Sequence, residues 1–73
     1  MSSLGNRNKF SRVIRALRRA GFVIHPGSRH TIVADADGNC LSTVPNHRVL
    51  NVNTLRAILK QVRLSEDRFI ELY

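Results

Sequence analysis

The segment that most constrains the fold is a turn over residues 35–39 (DADGN), which separates two runs rich in β-branched side chains. Its Asp37-Gly38 step tolerates the positive φ angles that a tight hairpin turn requires. The runs on either side, residues 31–33 and 40–44, are therefore predicted to be neighbouring antiparallel strands, the first of them starting near Ser28. Pro45 is expected to end the second strand, because proline has no amide hydrogen to donate to a ladder.

Amphipathic helices are predicted on both sides of this hairpin. Apolar side chains recur at helical spacing over residues 10–17 and again over residues 55–62. Gly21 lies where the first helix is expected to end. A short last helix after Ser65 is expected to return Phe69, Ile70 and Leu72 to the core. The expected N-caps of the three helices are Asn8, then Asn53 or Thr54, then Ser65.

A further strand, which precedes the hairpin along the chain, is predicted at residues 22–24 and is expected to end before Pro26-Gly27. The element order is then α-β-β-β-α-α. Both long helices have one apolar face, so both can cover the same side of a three-stranded sheet and leave its other side open. The sequence therefore predicts a single α+β domain over residues 8–73, preceded by a loose polar segment at residues 1–7.

The charge of the chain points to a polyanionic partner. Its 73 residues hold 12 Lys and Arg against 5 Asp and Glu, a net charge of +7, which is typical of proteins that bind phosphate-rich molecules. The 42% of apolar residues is too many for a disordered tail. Cys40, the one cysteine, has no disulfide partner, which favours the reducing cytoplasm. Neither a signal core nor a membrane-spanning stretch is expected.

Three histidines, His25, His30 and His47, are the candidates for proton transfer near neutral pH. The five carboxylates lie in the hairpin turn and in the last helix, where a two-carboxylate site is not expected, and no residue cluster has metal-ligand spacing. RNA cleavage by transesterification suits such a residue set, because the ribose 2′-OH is the nucleophile. A histidine then moves the protons, and Arg and Lys stabilise the charge that develops on phosphorus.

Four segments in order resemble the HicA toxin family: Gly21-Phe22 after a basic helix, residues 27–30 (GSRH), Val44-Pro45 followed by a histidine, and residues 54–61 (TLRAILKQ). The resemblance covers about residues 10–72. It implies a double-stranded-RNA-binding-domain-like fold and an mRNA interferase, a toxin that cleaves mRNA without a cofactor or metal. It also implies a HicB-type antitoxin partner that holds the toxin inactive.

Carried over by position, the resemblance makes His30 the catalytic residue. The basic surface is expected to bind RNA, and each of its cations can instead belong to a solvated face. Because adjacent strand residues face opposite sides, either a local bulge turns His30 to the active surface or Arg29 points there instead. The expected RNA-binding residues are Ser28, Arg29, Arg12, Arg15, Arg56 and Lys60.

Two other functions fit the same basic chain. One is a non-catalytic module that binds double-stranded RNA, and the other is a protein whose charge serves an acidic protein partner. Cleavage of RNA in the presence of EDTA separates the enzyme from the first. A bound antitoxin is compatible with the enzyme, because covering the basic surface would also cover His30.

Overall fold

The computed structural model describes residues 4–73 and confirms the α-β-β-β-α-α order, a small α+β fold. A short 3-10 helix, Leu4–Asn6, precedes these elements. The three α-helices are α1 (Phe10–Arg19), α2 (Val52–Val62) and α3 (Glu66–Leu72). The three strands are β1 (Val23–His25), β2 (His30–Ala34) and β3 (Cys40–Pro45).

The strands form one antiparallel sheet in the order β1-β2-β3, so that β2 is the central strand. Ile24 of β1 pairs with Val33 of β2, which pairs in turn with Ser42 of β3. The next pair joins Ala34 to Cys40, which leaves Leu41 as an extra residue in β3. The predicted hairpin turn is present, and Gly38 has the positive φ, 87°, that this turn requires.

All three helices lie on one side of the sheet and enclose the core there. Helix α1 packs beside β1, α2 packs on β3, and α3 contacts both of these helices. From the sheet, Val33 and Val44 point into this layer and are fully buried. No helix within residues 4–73 is long and apolar enough to span a bilayer. The other core residues are Leu4, Val13, Ala16, Leu17, Leu50, Leu55, Ile58, Leu59, Val62 and Phe69.

Two of the predicted N-caps are wrong, and Ser65 is confirmed. Lys9 precedes α1 without a side-chain cap, because the Asn8 side chain instead donates to the carbonyl of Leu50 at 2.8 Å. Helix α2 begins earlier than predicted, because Asn51 caps it by accepting a bond from the amide of Asn53. The Ser65 hydroxyl accepts a bond from the amide of Arg68, as predicted for the last helix.

The N-terminal segment differs in part from the expected loose tail. Leu4 is fully buried against the core, and the turn that follows it is closed by a hydrogen bond from the Arg7 amide to the Leu4 carbonyl. Burial of this apolar side chain removes it from water and helps to dock the segment on the core. Residues 1–3 lie outside the described residues, and for them the expectation stays a prediction.

Candidate active site

His30 is the first residue of β2 and is exposed on the sheet face that the helices leave uncovered. The next residue, Thr31, is only 4% exposed on the helical side, whereas Ile32 is 39% exposed. Since side chains alternate along a strand, His30 and Ile32 share the open face. No bulge is needed to turn the imidazole outward, and β2 begins at His30 rather than near Ser28.

The turn that leads into His30 depends on glycine at position 27. A Cβ built on Gly27 would overlap the backbone carbonyl oxygen of His30. The chain therefore passes directly against the backbone of the candidate catalytic residue, and only glycine leaves room for it. This contact gives a physical reason for the glycine of the Gly27-Ser28 step, whose neighbours Ser28 and Arg29 are both exposed.

Asn46, which sequence reasoning missed, ties this turn to the end of β3. Its backbone amide donates to the carbonyl of Arg29 at 2.9 Å, and its side-chain amide donates to the carbonyl of Gly27 at 2.7 Å. Its side-chain oxygen accepts the hydroxyl hydrogen of Thr31 at 2.9 Å. These three bonds bracket His30 on both sides along the chain, so Asn46 fixes the path of the backbone that carries the imidazole.

The open face also presents His25, Thr43 and Val23. His25 of β1 and Thr43 of β3 are the direct cross-strand partners of Ile32, and all three side chains are exposed. Val23 is 41% exposed at the start of β1. The face therefore combines apolar surface with two histidines. His47, the third histidine, lies just beyond β3, where its backbone amide donates to the carbonyl of Pro45.

The structure brings Ser28 and Arg29 next to His30 but keeps the other predicted RNA-binding residues on the helices. Arg12 of α1 contacts Tyr73, the residue that follows α3. Its guanidinium donates to the backbone carbonyl of Tyr73 at 2.8 Å and lies 4.3 Å from the centre of the Tyr73 ring. Two helical cations, Arg15 of α1 and Lys60 of α2, are exposed. The fourth is Arg56 of α2, which forms a 3.8 Å ion pair with Glu66.

The carboxylates lie away from the open face. Asp35 and Asp37 lie in the turn after β2, at the opposite end of that strand from His30. Hydrogen bonds from the backbone and side chain of Asn39 hold the pKa of Asp35 below its ordinary value. The other three acidic residues, Glu66, Asp67 and Glu71, belong to α3. Within residues 4–73, no three side chains come together that could hold a metal ion.

Comparison with known protein families gives a match over most of the chain. The family model described as the HicA toxin of bacterial toxin-antitoxin systems matches residues 10–64, from the start of α1 to just beyond α2. The comparison with curated proteins gave no match. The matched range includes all three strands, the Gly27–His30 turn and Asn46. Because this range is most of the chain, the protein belongs to the HicA toxin family, the toxins of bacterial toxin-antitoxin systems.

Proposed function

We propose that this toxin is a metal-independent endoribonuclease, an mRNA interferase, with His30 as a catalytic residue. The observation that carries the proposal is the exposure of the His30 imidazole on the uncovered sheet face, next to Arg29 along the chain. Membership of a toxin family supplies the biological setting. The net charge of +7 supplies the attraction for a polyanionic substrate.

RNA requires little from such an enzyme, because the substrate carries its own nucleophile. The imidazole of His30 accepts the 2′-OH proton or donates a proton to the departing 5′ oxygen, and one such group contributes typically about 10²- to 10⁴-fold to the rate. Arg29 lies in the bend before β2, outside the strand, so the alternation of strand side chains does not keep it from this site. Its exposed guanidinium stabilises the negative charge that develops on the phosphate oxygens. The products are a 2′,3′-cyclic phosphate and a 5′-hydroxyl.

RNA binding is assigned first to Ser28 and Arg29, which adjoin His30 along the chain. Arg15 and Lys60 extend the proposed surface onto the helices, where both are exposed. Two further candidates hold partners within the protein: Arg12 binds Tyr73, and Arg56 pairs with Glu66. Those two would have to exchange these partners for phosphate, so their contribution to affinity is expected to be smaller.

The family pairs each toxin with an antitoxin, and we assign this role to a HicB-type protein that covers the open face. Such an interface typically buries about 800 Å² on each partner, enough to include His30 and its neighbours. Inhibition would then follow from occlusion, because an RNA strand could no longer reach the imidazole.

The test compares wild-type protein and the His30→Ala variant on one RNA with mapped ends, in EDTA. We expect the wild type to cleave RNA but not DNA of the same sequence, because DNA lacks the 2′-OH. The variant should lose cleavage with an unchanged melting temperature, since His30 is exposed. The matched control is His47→Ala, a second exposed histidine. Cleavage by His30→Ala at the wild-type rate, or RNA binding without cleavage by the wild type, overturns the proposal.

A further inference from the structure

The strand register brings a second histidine close to His30. His25, the last residue of β1, pairs directly with Ile32, and His30 lies two residues before Ile32 on the same strand. His25 and His30 are therefore diagonal neighbours on the open face. Such neighbours across an antiparallel pair lie about 7 to 8 Å apart. Neither side chain is hydrogen-bonded to another group within residues 4–73, so both rings are free to meet a ligand.

We propose that His25 is the second proton-transfer group, so that His25 and His30 act as an acid-base pair on the RNA phosphate. The proposal rests on the ribonuclease function above and adds a residue to its mechanism. An in-line displacement places the attacking 2′ oxygen and the leaving 5′ oxygen on opposite sides of phosphorus. One catalytic group therefore cannot serve both oxygens at once, whereas two imidazoles on either side of the phosphate can.

The proposed step balances in protons and bonds. The neutral imidazole of the pair accepts the 2′-OH proton as the 2′ oxygen forms its bond to phosphorus. The bond from phosphorus to the 5′ oxygen breaks, and that oxygen takes a proton from the imidazolium of the other histidine. The two rings leave the step with exchanged protonation states, and proton exchange with water restores them. Each ring nitrogen needs to approach its oxygen to about 2.6 to 3.2 Å.

His25 is favoured over His47 because the sheet fixes its place. His25 pairs with Ile32 in the ladder between β1 and β2. His47 instead follows the end of β3, in a turn that is closed by a hydrogen bond from its own amide to the carbonyl of Pro45. The segments that flank the pair contribute Arg29 before β2, and His47 and Arg48 after β3. Within β1, β2 and β3 the only other titratable side chain is Cys40, at the far end of β3. No carboxylate in these strands competes for either proton.

The test uses two substrates and the variants His25→Gln, His30→Gln and His47→Gln. One substrate is an RNA oligonucleotide that the wild type cleaves. The other is the same oligonucleotide with sulfur in place of the bridging 5′ oxygen at the cleaved bond, because a thiolate departs without a proton. On the ordinary RNA we expect His25→Gln and His30→Gln each to lose about 10²- to 10⁴-fold in kcat/KM. The matched control, His47→Gln, should stay within a few-fold of wild type.

The sulfur substrate identifies the acid. We expect one of the two variants to regain most of its activity on it and the other to remain slow. The wild-type kcat/KM should follow a bell-shaped pH profile, from which each variant removes one limb. Circular dichroism and the melting temperature of each variant check the fold, which exposed positions at strand ends should leave unchanged.

The outcomes separate this proposal from the function on which it rests. If His30→Gln is inactive while His25→Gln cleaves ordinary RNA like wild type, the acid-base pair is wrong and the ribonuclease proposal stands. A loss of activity in His47→Gln in place of His25→Gln also overturns the pair, as does failure of the sulfur substrate to restore either variant. If the wild type cleaves no RNA, the ribonuclease proposal itself fails.

Discussion

At the residue scale, the placement of His30 depends on polar groups that no local pattern reveals. Thr31 is buried, with only 4% of its surface exposed. Its hydroxyl donates to the side-chain oxygen of Asn46, fifteen residues further along the chain. Asn46 in turn donates to the carbonyls of Gly27 and Arg29. The Gly-Ser-x-His pattern of residues 27–30 therefore predicts His30 as the candidate residue. Asn46, which holds the backbone on both sides of His30, is brought there by the pairing of β2 with β3.

Removing the Thr31 hydroxyl tests this arrangement. Thr31→Val keeps the shape of the side chain and deletes its donor, so the free energy of unfolding should fall by about 0.5 to 1.5 kcal/mol. Asn46→Ala removes both side-chain bonds, and a double-mutant cycle in urea denaturation should show coupling between the two positions. The matched control is Thr43→Val, an exposed threonine on the other face of the sheet. Additive effects of Thr31→Val and Asn46→Ala would show that the bond contributes nothing.

At the scale of elements, hydrophobic periodicity and turn residues predicted the three α-helices and the three strands, and the errors in these elements fell at their ends. Asn8 has the side chain of an N-cap, yet its amide nitrogen donates to Leu50 and its backbone carbonyl accepts from the amide of Leu50. Beside it, Lys9 forms an isolated antiparallel bridge with Val49. Asn8 therefore binds Leu50, 42 residues away, instead of capping α1. Rules that consider only neighbouring residues cannot predict this bond.

The turn between β2 and β3 should make stability depend on pH. The Asp35 carboxylate accepts bonds from the Asn39 backbone and side chain and from the Asp37 amide, which lowers its pKa below the ordinary 3.8. A lowered pKa in the folded state stabilises the fold above the ordinary value and loses this contribution as pH falls through the folded value. Asp35→Ala should therefore destabilise the protein at pH 6, and the difference from wild type should shrink towards pH 2.

Urea denaturation at a series of pH values measures this difference. Asp37→Ala is the charge-matched control, since it removes a carboxylate from the same turn. A constant gap between wild type and Asp35→Ala from pH 6 to pH 2 would contradict the assignment of the effect to the ionised carboxylate.

At the scale of the whole molecule, the positive charge is spread over both layers, whereas His30 lies on the sheet side alone. Arg29 is exposed immediately before β2, and Arg15 and Lys60 are exposed on the helical layer. The net charge, which is a property of composition, could be predicted in full. The distribution of this charge over the two layers could not be predicted, because helical periodicity shows which residues share a helix face but not which layer faces the substrate.

The salt dependence of RNA binding should distinguish these cations. For single-stranded RNA, each neutralised phosphate adds about 0.7 to the slope of log affinity against log salt concentration. We expect Arg29→Ala to weaken binding and to reduce the slope by about that amount. Arg12→Ala should change the slope less, because Arg12 is already bound to Tyr73. Fluorescence anisotropy with the His30→Ala protein avoids cleavage during the titration, and equal slopes for Arg29→Ala and its parent would contradict a phosphate contact.

The position of β2 as the central strand affects how a substrate would bind at His30. His30 begins a strand that is hydrogen-bonded along both edges, with its preceding turn tied to Asn46. Its backbone has therefore lost its conformational entropy on folding, before any nucleotide arrives. Under the proposed ribonuclease function, the ordering required on binding then falls on the RNA strand. Unpaired and stacked stretches of RNA should therefore differ mainly in how readily they adopt the reactive geometry.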